Sequence, residues 1–343
     1  MQPTTAHTPA PALSLYRPPH EPADRDPSPD WTLTDFWARW ARPAKVARSA
    51  SPRYLRALEQ SLRLWTDATG DPPLADVDDR TCDSFLVFLQ GRSISPNTIR
   101  KHARHVQHLL DWAAPRSRDN RRPPAVDGLF GDDHRGRPRP APYIEPPPEV
   151  YHGPRPHYTI DEIDTILRTC PEARKPRYAA DLALWWRCLW ILLWNTGLRA
   201  ESATLLAPSH RAGDWADLPP EIMKRRRRGH RLYLNRHARA ALDRVEPPDP
   251  ATPYFAWPHS YSWFYAEIRR LEASLPADRR LGTHACRRAL ISWLQQRNPE
   301  VAKLIAGHSG RGDVTLRHYT APEIVVDLME QYPQPTTWSP RDT

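Results

Sequence analysis

From Trp31 onward, apolar residues recur at helical spacing. Thr32 or Thr34 can cap a first helix carrying Phe36, Trp37 and Trp40. Ser51-Pro52 opens a second helix, in which Tyr54, Leu55, Leu58, Leu62 and Trp65 share one face at i, i+3/i+4 steps. Gly70-Asp71-Pro72-Pro73 breaks that pattern. A third helix is predicted over Asp79–Gln90, turning Phe85, Leu86, Phe88 and Leu89 inward. Ser95-Pro96-Asn97-Thr98 starts a fourth, striped by Ile99, Val106, Leu109, Leu110 and Trp112. Its opposite face carries Arg100, Lys101, His102, Arg104, His105 and His108. That face reads either as a solvated helix surface or as one that meets a polyanion.

The second half shows a different rhythm. Thr159 and Glu162 form a capping-box pattern before a helix that runs to Cys170. A buried helix is predicted over Tyr178–Asn195, ended by Gly197. Its most apolar stretch, Leu182–Trp194, contains Arg187 and falls short of the roughly 20 residues that span a bilayer. Two short strands, Glu221-Ile222-Met223 and Arg231-Leu232-Tyr233-Leu234, flank the basic run Lys224–Arg228. The remainder, Ala238–Tyr332, is mostly helical in pattern, and Ala321-Pro322-Glu323 opens an amphipathic helix with Ile324, Val325, Leu328 and Met329. The fold class is mainly α with a small β-sheet.

Composition divides the chain. At roughly 100–200 residues per domain, 343 residues suit two domains. The 40 prolines, about twice the usual share of about 5%, gather at the start and in the middle. Residues 1–30 read as a disordered tail without the apolar core of a signal peptide. Residues 31–115 form a helical domain, 116–157 a Pro/Arg-rich linker, and 158–343 a second domain. The formal net charge of +9 suits a polyanionic partner and says nothing about chemistry. Cys82, Cys170, Cys188 and Cys286 form no CxxC pair, so a metal site or disulfide framework is not expected and a reducing, cytoplasmic interior is.

Four segments carry candidate chemistry. In Asn195-Thr196-Gly197-Leu198-Arg199, an arginine follows a helix end and starts the next helix, where backbone N–H groups and a guanidinium together suit a phosphate. Lys224 sits at the edge of the predicted hairpin, the one lysine beside Arg225, Arg226, Arg227 and Arg228. Lysine, unlike arginine, has a pKa that can be brought into range for proton donation, although such a run also binds DNA non-specifically. His284 and Arg287, three apart, share a helix face. Gly307-His308 precedes Tyr319 by eleven residues from the histidine.

Together these segments resemble the catalytic domain of the tyrosine recombinase, or phage integrase, family. That family is identified by an arginine after TGL, a hairpin lysine, an HxxR pair, a GH and a tyrosine just beyond, and all five stand here in that order. Residues 31–115 resemble the family's helical core-binding domain, with Ser95-Pro-Asn-Thr-Ile99 typical of its last helix. Two features depart from the pattern. Ser202 stands where the family usually has an acidic residue, with Glu201 one position early, and the His308–Tyr319 gap is slightly longer than usual.

The resemblance implies a metal- and ATP-independent enzyme that cleaves and rejoins double-stranded DNA through a covalent 3′-phosphotyrosine. It implies a homotetramer on two duplexes and no cofactor or membrane partner. Arg199 and Arg287 would clamp the scissile phosphate, His284 act as a donor or as a proton shuttle that helps deprotonate Tyr319, and His308 donate to the phosphate. Lys224 would act as general acid and Tyr319 as nucleophile. Arg100, Lys101, Arg104 and Arg225 to Arg228 would contact DNA. The C-terminal helix would either exchange with a neighbouring protomer or pack on its own domain. His318, Tyr254, Tyr265 and Tyr332 are weaker nucleophile candidates, since none follows the cluster in the same way. A catalytically inactive DNA-binding regulator on the same fold and a type IB-like topoisomerase are the competing functions.

The chemistry is consistent with this set of residues. Strand cleavage by transesterification builds charge on a pentacoordinate phosphorus, which fork-shaped arginine donors stabilise. A preorganised donor of this kind contributes about 2.7–4 kcal/mol. A tyrosine with an ordinary pKa near 10 needs cations or a base to lose its proton.

Overall fold

The computed structural model describes residues 27–48, 50–114, 129–133, 135–137, 139–151, 153–223, 229–307 and 322–340. Residues 1–26 of the expected tail and the start of the linker lie outside them. The chain divides into two compact units, Met1–His152 and Gly153–Thr343. No helix among the described residues is long and apolar enough to cross a membrane.

The first unit is helical. Thr32 caps its first stretch in a capping box with Asp35. That stretch runs as Leu33–Phe36, a π segment Trp37–Ala41, and Arg42–Ala47. Pro43 explains the π segment: it offers no N–H and its ring cannot sit against the carbonyl one turn back, so the helix widens there. Ser51 caps Pro52–Thr69, an Asp78–Thr81 box caps Asp79–Gln90, and Ser95 caps Pro96–Ala113. Leu58, Leu62, Trp65, Phe85, Leu89, Val106, Leu109 and Leu110 meet in one core. Of the residues expected to face inward, Leu86 and Phe88 are half-buried and Tyr54 is exposed.

Two expectations for this unit are corrected. Leu129, Phe130 and Ile144, assigned to a linker, are buried in the helical core. Arg139 fastens the segment by donating to the Phe130 and Ala75 carbonyls, and Gln107 accepts from the Ile144 amide at 2.7 Å. Proline richness obscured three large apolar groups that are enough to anchor it. His102 is not on a solvated face but 2% exposed. Its Nδ1 lies 2.8 Å from Ser61 Oγ, which also lies 2.8 Å from His105 Nδ1 and donates to the Ala57 carbonyl at 3.0 Å. A serine one helix away thus lets the histidine stripe turn inward, because the rings find a polar partner there. Arg100 donates to the Pro147 carbonyl at 2.6 Å, while Lys101 and Arg104 are exposed.

The second unit is mainly α with one small sheet. Thr159 and Glu162 form the expected capping box on Ile160–Thr169. The central helix is Leu182–Thr196, beginning later than the expected Tyr178 because the Asp181 side chain accepts from the Leu184 amide and fixes the start. It is buried nearly all round and packs against Arg236–Asp243 and His284–Arg297, the latter followed by Pro299–Ala306. Its end is set by Gly197 at φ +61°. A Cβ there would stand 3.3 Å from Leu290 Cδ2.

The hairpin expected around the basic run is replaced by a three-stranded antiparallel sheet. Its strands are β1 (Arg211–Ala212), β2 (Trp215–Leu218) and β3 (His230–Tyr233), in that order. β3 pairs with β2, Leu218 opposite His230 and Trp215 opposite Tyr233. Residues 220–222 form a 3-10 turn instead of a strand. Pro219 and Pro220 account for this, since neither can donate to a ladder. The basic run still belongs to the β2–β3 connection, residues 219–229, though Lys224 to Arg228 lie outside the described residues.

The C-terminal helix, Pro322–Glu330, packs on its own unit through Val325 and Met329. Beyond it, Asp164 accepts from the amides and hydroxyls of Thr336 and Thr337. All four cysteines are buried thiols. Burial pushes Cys82, Cys170 and Cys188 up to about 12, which makes them unreactive.

Two measurements test this account. Burial, helped by Lys101 and His105, pushes His102 down to about 4 from an ordinary 6.5. The unfolded chain therefore binds a proton first as pH falls, and the first unit loses stability from about 6.5 toward about 4. Replacing His102 by Gln should flatten denaturant-midpoint profiles over that window; an unchanged slope would contradict the buried neutral ring. Gly197→Ala should cost about 1–2 kcal/mol in urea unfolding, because an L residue is strained at this φ, and no loss of midpoint would show the backbone to be otherwise.

Candidate active site

The first arginine is placed by a helix break. Leu182–Thr196 ends at Gly197, whose left-handed backbone turns the chain so that Arg199 becomes the N-cap residue of a short helix, Ala200–Ala203. Arg199 is half-buried, and its carbonyl accepts from the Ser202 and Ala203 amides. Ser202, the residue at the family's acidic position, donates from its hydroxyl to the Ile222 carbonyl at 2.8 Å. A short hydroxyl thus ties the helix of Arg199 to the turn two residues before Lys224. A longer carboxylate would have met a carbonyl oxygen there, with no proton to give.

The second arginine is placed by two carbonyls. Arg287 stands in the first turn of His284–Arg297. One terminal nitrogen donates to the Gly197 carbonyl at 2.7 Å and the other to the Ala306 carbonyl at 2.6 Å. Gly197 lies two residues before Arg199, and Ala306 two residues before His308. The side chain therefore joins the segments that lead into both. Burial pushes the Arg287 guanidinium down to about 10, with the Arg199 charge beside it acting in the same direction. Among the described residues no carboxylate pairs with either arginine. Two neighbouring guanidiniums of this kind present donors of the type that suits an anion.

His284 opens the same helix and is exposed. At i, i+3 it lies on the face of Arg287. The turn before it is held from behind: the Leu281 amide donates to the Tyr158 hydroxyl at 3.2 Å and the Gly282 amide to Glu272 Oε1 at 2.7 Å. Sequence reading missed both partners. Nothing in the local sequence separates Glu272 from other charged helix residues, and its 1% exposure does.

The structure thus ties Arg287 to the segment that leads into Arg199 and places His284 one turn before Arg287 on the same helix. Lys224, Arg225 to Arg228, His308, His318 and Tyr319 lie outside the described residues. Tyr254 and Tyr332 are each 3% exposed and belong to the apolar core, which removes them as nucleophiles in the folded chain. Tyr265 is partly exposed and packs on Tyr261 and Phe264.

No family model matches the sequence, and no curated protein does. Solved structures do match. The lambda integrase tetramer bound to a Holliday junction aligns over 83% of this chain and 80% of its own, at 15% identity and TM-score 0.57. The Tn1549 transposon integrase in complex with transposon right end DNA aligns over 88% and 99%, at 15% identity and TM-score 0.55. The XerH site-specific recombinase in its pre-cleavage complex with difH aligns over 88% and 85%, at 13% identity and TM-score 0.52. The mainly helical architecture with one small antiparallel sheet is therefore that of the tyrosine recombinases, and this chain has their fold.

Proposed function

We propose that the protein is a site-specific DNA recombinase that breaks and rejoins strands through a covalent phosphotyrosine. The observation that carries this reading is the bond from Arg287 to the Gly197 carbonyl at 2.7 Å, two residues before Arg199, which joins two guanidiniums from separate elements with no carboxylate paired to either among the described residues. Such a pair suits the non-bridging oxygens of a phosphodiester, and it becomes more useful as charge builds on them in the transition state.

The reaction follows from the side chains. The Tyr319 oxygen attacks the scissile phosphorus, its proton passing to His284. The new bond joins phosphorus to the tyrosine oxygen, leaving the phosphate on the 3′ end. The bond from phosphorus to the 5′ oxygen breaks, and Lys224 supplies the proton for the departing hydroxyl. His308 adds a donor to the phosphate. A second 5′-hydroxyl can reverse the step on a new partner strand, because the phosphotyrosine ester retains the energy of the bond. Two duplexes and four active sites make a homotetramer the working assembly, as in the lambda integrase tetramer to which the fold is similar. Lys101 and Arg104, exposed on the fourth helix, and the run Arg225 to Arg228 supply backbone contacts.

The test uses duplexes that the full-length protein selects from a random-sequence pool, nicked so that cleavage is trapped. The wild type should form an adduct that survives SDS, and Tyr319→Phe should form none. Arg199→Ala should slow adduct formation by about 10²–10³-fold. An adduct that persists in Tyr319→Phe would displace the nucleophile. Tight binding without any adduct would make the protein a regulator on this fold, and plasmid relaxation without strand exchange would make it a topoisomerase.

A further inference from the structure

Behind the exposed His284 lie two polar side chains that the reaction above does not use. Tyr158 and Glu272 are each 1% exposed. Tyr158 directly precedes the capping residue of Ile160–Thr169, and Glu272 is the C-cap residue of Tyr261–Leu271. The Tyr158 hydroxyl donates to Glu272 Oε1. The same oxygen accepts from the Gly282 amide at 2.7 Å, and the tyrosine oxygen accepts from the Leu281 amide at 3.2 Å. A buried pair from two distant segments therefore holds two consecutive amides.

Those amides immediately precede Thr283 and His284. Thr283 makes no side-chain capping bond to the helix it starts. Gly282 is at φ +70°, a conformation that needs to be fixed by its surroundings. Tyr158 and Glu272 thus hold the backbone immediately before the helix that His284 opens. An apolar residue at 272 would fill the same space without the cost of burying a carboxyl group, but could accept neither donor.

We infer that Tyr158 and Glu272 are positioning residues for His284. The inference rests on the reading of His284 as the group that takes the tyrosine proton. Arg287 is fastened separately, by the carbonyls of Gly197 and Ala306. Loss of the buried pair therefore displaces the proton acceptor and leaves the phosphate clamp in place, so chemistry slows at unchanged DNA affinity.

The experiment measures single-turnover adduct formation by the full chain on the pool-selected nicked duplexes, alongside DNA affinity. Glu272→Ala should slow the adduct by about 10- to 100-fold, the scale of a small misplacement of a reacting group. Glu272→Gln keeps the oxygen that takes both donors and should restore most of the rate. In a His284→Ala background, Glu272→Ala should add nothing further. Tyr158→Phe keeps the packing, removes the hydroxyl, and should show the same dependence on His284 even where the alanine variant folds poorly. Equal slowing with and without His284, no rescue by glutamine, or a parallel fall in affinity would overturn the inference and leave Glu272 a packing residue. No adduct from the wild type would overturn the recombinase reading and this inference with it, an outcome distinct from an active wild type with additive variants.

Discussion

The segments that carry the second unit's candidate residues are joined by one half-buried guanidinium. Arg287 has five N–H donors, and two are spent on the carbonyls of Gly197 and Ala306. Those carbonyls lie at the C-terminal ends of two helices, Leu182–Thr196 and Pro299–Ala306. A helix C-terminus carries partial negative charge and unsatisfied acceptors. That is enough to hold a cation that has lost part of its water. It is not enough to neutralise it, and burial together with the Arg199 charge lowers its pKa. The donors left over, and the neighbouring Arg199, are what a phosphate would satisfy. A carboxylate in place of either carbonyl would stabilise the empty site and weaken its hold on an anion.

Such a site needs rigid walls, and the central helix provides them. Leu182–Thr196 is tryptophan-rich and buried almost throughout. Trp185 packs on Phe255 at 5.4 Å between ring centres, Trp186 on Phe264 at 5.5 Å, and Trp194 on Tyr332 at 5.1 Å. Aromatic pairs contribute large contact areas with few rotatable bonds, so the helix end that presents Gly197 has little freedom. Gly197 itself is a glycine for two reasons, a left-handed backbone and the closeness of Leu290 and Arg287 to where a Cβ would be.

Much of this was legible in the sequence because it rests on local rules. The capping residues Thr32, Ser51, Ser95 and Thr159 announce helix starts that the structure contains. Gly197 announces a helix end, and the distance in sequence from Arg199 to Arg287 is bridged by a motif rather than by periodicity. What could not be read depends on contacts between remote segments. β1 and β2 are too short for alternation to show, and β2 finds β3 across a proline-interrupted connection. Leu129, Phe130 and Ile144 are isolated apolar residues in a proline-rich stretch, and only the core that receives them gives them meaning. His102 turned inward because Ser61 sits opposite, a pairing no single-helix pattern contains. The Glu272–Tyr158 pair joins residues more than a hundred positions apart.

The C-terminal segment is bound to the same helix end that holds Arg287. Trp194 donates from its indole to the Pro333 carbonyl at 2.9 Å. Asn195 exchanges bonds with Gln334, donating at 3.0 Å and accepting at 2.7 Å, while its oxygen also accepts from Asn235 at 2.7 Å. Asn195 is fully buried, so each of these groups would pay a desolvation cost if its partner left. The two residues that receive the tail directly precede Thr196-Gly197, whose carbonyl fixes the arginine. One turn of helix therefore serves two attachments, the tail on one side and Arg287 on the other. A rigid turn is the shared requirement of both, which explains why polar groups are buried there at all: in this position their directional bonds fix the geometry, where apolar contacts would only fill the space.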